Sequence, residues 1–147
     1  SCCQHHDMEY CFHCAEYPCK KYDAADLTDS FITHRNQYKD FAKAKAIGLD
    51  AYEEALNKKI DILRDLLESY DDGRRKSFFC VAVNLLEVHD IENVTEQLAG
   101  EVRTGMPQRE KAAIAARLFQ AMAEERNIDL KLRKKAKPRS SALRTEG

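Results

Sequence analysis

The 147-residue chain has no tryptophan, only five glycines and three prolines, and a formal charge of -1 from 24 Lys and Arg against 25 Asp and Glu. Scarce Gly and Pro leave few turn formers for a many-stranded β fold, while abundant Ala, Leu, Glu, Lys and Arg lose little rotamer freedom in a helix. A near-zero charge excludes a whole-domain field that would recruit nucleic acid or an acidic surface. No run approaches the roughly 18–20 apolar residues a membrane span needs. A basic, apolar, small-residue leader is also missing, so the expected location is cytoplasmic. The composition, 44% apolar and 33% charged, suits one compact helical domain.

What is present is unevenly placed. Five of the six cysteines and three of the five histidines lie within residues 1–19. A helical pattern is then expected over 26–45, capped by Asp26, with Leu27, Phe31, Tyr38, Phe41 and Ala42 on one stripe. Gly48 interrupts it, and Asp50 with Glu53 reads as a capping pair for a second helix. That helix would bury Tyr52, Ala55, Leu56, Lys59, Ile60, Leu63, Leu66, Leu67 and Tyr70.

After the turn Asp71, Asp72, Gly73, residues 77–88 are apolar nearly all round and are expected as a central buried helix rather than a strand. Ile91, Val94, Leu98 and Val102 mark a helix over 90–103. Pro107 reads as the first residue of a last helix that buries Ile114, Leu118, Ala121 and Met122 and fades near Asn127. The alternation over 128–133 suggests an extended segment against the body, and the basic end after Lys134 is expected to be disordered. The expected architecture is all-α: about five helices in an irregular bundle over 23–133, preceded by a Cys-rich segment over 1–22 and followed by a tail over 134–147.

The cysteine segment carries the chemistry. Cys11 and Cys14 form a CxxC pair, a spacing that aims two sulfurs at one ion, and Cys19 follows behind Pro18. One of Cys2 and Cys3, together with Cys11, Cys14 and Cys19, would complete four thiolates for Zn2+. A segment with few apolar residues has little reason to fold without a metal. Disulfides are disfavoured by the missing secretory features, and a redox CxxC by the missing βαβ pattern. An iron-sulfur cluster obeys the same thiolate logic and stays open as the alternative cofactor. His5, His6 and His13 read as exposed polar residues, with His5 or His6 able to replace Cys2 or Cys3.

Other residues have plainer readings. Cys80 lies within the apolar run and is expected to pack as a small hydrophobe. His34 falls on the Tyr38 stripe and reads as a hydrogen-bonded core histidine. Arg74, Arg75 and Lys76 form a solvated charged turn. The tail over 131–147 carries seven Lys or Arg against one Glu, but no aromatic residue alternates with them, so nucleic-acid binding is disfavoured. Gly-rich phosphate loops, GxSxG elbows and HExxH helices are all missing from the sequence.

The string CCQHHDMEYCFHCAEYPCKKY, with GRRKSFFCVAVNLLE and EKAAIAARLFQAMAEERNIDLKLRK further on, resembles the cysteine-rich family known as domain of unknown function 3795. The CxxCxEYPC core carries most of that likeness. The resemblance implies presumed metal binding, with Cys2 or Cys3, Cys11, Cys14 and Cys19 at the matching positions, and no established activity. Family members typically carry a further CxxC-like stretch upstream, which this chain, starting at Ser1, lacks. The expected function is accordingly a metal-binding, non-enzymatic interaction module with a protein partner; the alternative is an iron-sulfur or thiol-based redox protein.

Overall fold

The computed structural model describes residues 2–23, 28–29 and 32–134, with Cys2 described by its backbone alone. The chain is all-helical, and among the described residues there is no strand. A four-residue helix α1 (Cys2–His5) and single 3-10 turns at Cys11–His13 and Lys20–Tyr22 make up the N-terminal segment. Five longer helices follow: α2 (Gln37–Ile47), α3 (Leu49–Ser69), α4 (Lys76–Leu85), α5 (Val88–Glu101) and α6 (Gln108–Glu125). No helix among the described residues is long and apolar enough to cross a membrane.

The core lies where α3, α4, α5 and α6 meet. Helix α4 is its centre, burying Phe79, Val81, Ala82, Val83 and Leu85. Ile91, Val94 and Leu98 of α5 and Phe119 of α6 close around it, and Phe79 meets Phe119 edge to face at 6.1 Å. Full burial of each such ring contributes about 1.5–3 kcal/mol. The apolar run thus forms a helix, with Cys80 half-buried at its flank.

Two charged side chains fasten the periphery. Asp90, in the first turn of α5, accepts two hydrogen bonds from Arg126 at the end of α6, at 3.0 and 2.7 Å. Asn127 then turns left-handed at φ 55°, and the Ile128 amide reaches back to the Ala123 carbonyl, which ends α6 where expected. Residues 128–133 run on without regular structure, burying Leu130 and half-burying Ile128 and Leu132. The period-two pattern therefore does describe their contact with the body.

Several expectations are corrected. The first long helix begins at Gln37, and the described residues 28, 29 and 32–36 are not helical. Asp26, Leu27 and Phe31 lie outside the described residues, as does the tail over 135–147. The physical reason for the late start is that side chains take the backbone groups a helix would use. The Asp29 carboxylate accepts the amides of His34 and Arg133, at 3.2 and 2.8 Å. Arg35 binds the Thr33 hydroxyl and the carbonyls of Asp129 and Lys131. Ala42 is exposed, and Ala44 is the buried alanine of α2.

Helix α3 has Gly48, not Asp50, at its N-cap and no side-chain cap, and Leu56 and Ile60 are 42% and 45% exposed. Pro107 is the N-cap of α6 rather than its first turn. Ala121 of α6 is exposed, whereas Ala112, Ala115 and Ala123 are buried.

Candidate metal centre

The N-terminal segment is a chain of tight turns that bring its sulfurs toward one side. After α1 the Met8 amide bonds the Cys3 carbonyl at 2.9 Å, with Asp7 left-handed at φ 51°, a conformation Asp tolerates. Next, the Cys14 amide bonds the Cys11 carbonyl at 3.0 Å and the Tyr17 amide bonds the Cys14 carbonyl at 3.1 Å, so the CxxC pair sits on two successive turns. The Tyr17–Pro18 peptide is cis, and Cys19 heads the 3-10 turn Lys20–Tyr22.

The turns enclose a hollow of about 30 Å³ to a water-sized sphere, lined by Cys3, Cys11, Cys14 and Cys19 with His6 and Tyr22 beside them. That is room for a single small occupant. The Sγ atoms of Cys3 and Cys11 are 3.3 Å apart. A disulfide requires about 2.05 Å; two thiolates on a tetrahedral zinc at about 2.3 Å from each sulfur stand roughly 3.8 Å apart. Among the described residues, no three Cys, His, Asp or Glu side chains already converge in a geometry that would hold an ion. Holding one ion with all four sulfurs would therefore require these side chains to draw closer together. The donor set and the size of the hollow fit a thiolate-bound ion. The side chain of Cys2 lies outside the described residues.

An aromatic layer seats this hollow on the body. Phe12, Tyr17 and Tyr22 pack against Phe41 of α2 with ring centroids 5.7, 5.7 and 6.4 Å away. Tyr38, one turn before Phe41, lies 5.4 Å from Tyr22 and donates its hydroxyl to the Tyr22 carbonyl at 3.3 Å. Burial, then the hydrogen bond and electrostatic interaction with Cys11, raise the Tyr22 phenol above its usual value of 10.0.

His5, His6 and His13 are exposed, as expected, although His6 borders the hollow. His34 lies apart from the cysteines, in a hollow with Asn36, Asp40 and Phe41. Arg74 and Arg75 lie in the turn before α4, whereas Lys76 is the first residue of that helix; Arg75 faces Asp72 at 3.7 Å, and the Asp71 carboxylate accepts the Gly73 and Arg75 amides. Sequence reasoning missed the role of Tyr17, Tyr22 and Phe12. Their spacing at five residues matches no helix face, and the available signal was only the density of aromatic residues among the cysteines. No family model, no curated protein and no solved structure matches the chain.

Proposed function

We propose that Cys3, Cys11, Cys14 and Cys19 bind one structural Zn2+ and that the chain works as a non-enzymatic helical interaction module in the cytoplasm. The observation that carries this reading is the common hollow lined by those four cysteines. Zinc prefers thiolate donors, and four of them leave no open position for a reactive water. The ion would pin the N-terminal turns, and the helical body would offer its surface to a protein partner. Cys2 is the reserve ligand in place of Cys3.

The 3.3 Å separation of the Cys3 and Cys11 sulfurs supports a second reading, a reversible dithiol. There the two thiols lose two electrons and two protons to a peroxide, which leaves as two waters, and an S–S bond forms.

Elemental analysis and an ultraviolet-visible spectrum of the purified protein, repeated on a Cys11→Ser, Cys14→Ser variant, decide between these. The zinc reading expects about one zinc per chain, no visible absorption and loss of the metal in the variant. Iron with a visible charge-transfer band would replace it with a cluster. Metal-free protein that loses two thiols on peroxide treatment would replace it with the dithiol.

A further inference from the structure

Away from the cysteines, α2, the first half of α3 and the α4–α5 corner enclose a second hollow. Its polar walls are Asp40 and Lys43 from α2, Tyr52 and Lys59 from α3, and Asn84 and Glu87 at the corner. It holds about 60 Å³ to a water-sized sphere and shares Asp40, Tyr52 and Asn84 with a wider hollow of about 250 Å³ beside His34. At roughly 10–15 Å³ per water on that measure, a small metabolite fits.

The charges on these walls are not equally engaged. Glu87 is held by Lys43 at 2.5 Å and Lys39 at 3.1 Å, and those ammonium groups keep its carboxyl below the ordinary range. Asp40 is different: among the described residues, no ammonium lies within 4 Å of its carboxylate and no group donates a hydrogen bond to it. Among the described residues Lys59 donates only to the Asn84 carbonyl, at 3.3 Å, which leaves two of its N–H groups for another acceptor. Burial is the largest influence on both, raising the pKa of Asp40 and lowering that of Lys59. The two attract one another across the hollow, which offsets part of that burial, but they stand more than 4 Å apart and neither contacts the other.

We propose that this hollow binds a small zwitterion of the amino-acid class, its amine on Asp40 and its carboxylate on Lys59. A simple anion would gain Lys59 but meet Asp40 as a like charge, and a simple cation would meet Lys59. A zwitterion set between them gives each a contacting opposite charge in one molecule, in place of an attraction across open space, and the wider hollow takes the remainder of the ligand. This assignment is independent of the metal, because its residues share nothing with the cysteine hollow.

The test is an NMR titration of the full chain with glycine, β-alanine and γ-aminobutyrate, using acetate and methylammonium as half-ligands. At least one of the three amino acids should give saturable shifts at the amides of Asp40, Lys59 and Asn84, and both half-ligands should bind at least about tenfold more weakly. Asp40→Asn and Lys59→Met should each weaken that amino acid by about tenfold or more with the circular dichroism spectrum unchanged. Acetate binding as tightly as the amino acids would overturn the proposal in favour of an anion site. No saturable shift from any of the three up to about 50 mM would overturn it altogether. Should the variants unfold, the comparison of whole ligands with half-ligands on the unaltered chain still decides.

Discussion

Asp29 joins the two ends of the described chain through one side chain, itself 1% exposed. Its carboxylate accepts the Arg133 amide at 2.8 Å and the His34 amide at 3.2 Å, and its own amide donates to the Arg133 carbonyl at 2.7 Å. Burial alone would raise this carboxyl; the amides of Arg133 and His34, the Thr33 hydroxyl and Arg35 outweigh it and hold it below the ordinary value of 3.8. With the folded pKa below the unfolded one, the stabilisation is full above about pH 4 and is lost as pH falls through the folded value. Asp29→Asn should therefore cost about 1.5–3 kcal/mol at pH 7 and progressively less as the pH falls below the ordinary value of 3.8, read as urea midpoints at pH 7 and at the lowest pH where the protein stays folded. A loss that stays constant down to that pH would mean that the charge is not what stabilises. None of this was legible in the sequence, because the partner amide lies 104 residues away and local periodicity assigned the region to a helix.

Among the helices, Gly48 and Gly100 make opposite predictions from the same substitution. Gly48 ends α2 and starts α3 with φ 89° and ψ 155°, a backbone conformation that side-chain-bearing residues avoid. An added Cβ would meet nothing within 4 Å, so Gly48→Ala carries backbone strain without a clash, about 1–3 kcal/mol of destabilisation. Gly100 sits in the last turn of α5 with similarly open space, and there Ala removes unfolded-state freedom at no strain. Gly100→Ala should stabilise by roughly 0.4–1 kcal/mol. Thermal melts of the two variants should move in opposite directions from the parent.

Element boundaries were partly legible for the same reason: Gly48, Gly73 and Gly105 all adopt positive φ where the sequence showed breaks. The inward faces were less legible. Ala112, Ala115 and Ala123 in α6 are fully buried because α5 and α6 pack together, yet three alanines barely register in a hydropathy pattern. Leu56 and Ile60 register strongly and remain exposed, since apolar spacing states which residues share a face and not whether another element covers it.

At the level of the whole molecule, two regions are held by different forces. The body over α3 to α6 has a continuous apolar core centred on Phe79 and Phe119. The N-terminal turns bury no residue fully in their 3-10 segments and meet the body through rings set edge-on or tilted against Phe41 and Tyr38. Cysteine spacing revealed the candidate ligands of this segment but not the surface that seats them, because that surface is assembled from residues of two elements. If zinc and the aromatic layer hold the same turns, each must strengthen the other by linkage. Chelating the zinc-loaded protein should then release amide protection across residues 3–22 while the amides of Phe79, Leu98 and Phe119 keep theirs, as hydrogen exchange would show. Phe41→Ala removes three ring contacts, each worth about 0.5–1.5 kcal/mol, and should weaken zinc by roughly 10- to 100-fold in a competition with a chromophoric chelator. Unchanged zinc affinity in Phe41→Ala would mean that the cysteine turns fold around their ion without the body. The module and the bundle would then be mechanically independent, and a partner could engage one without sensing the state of the other.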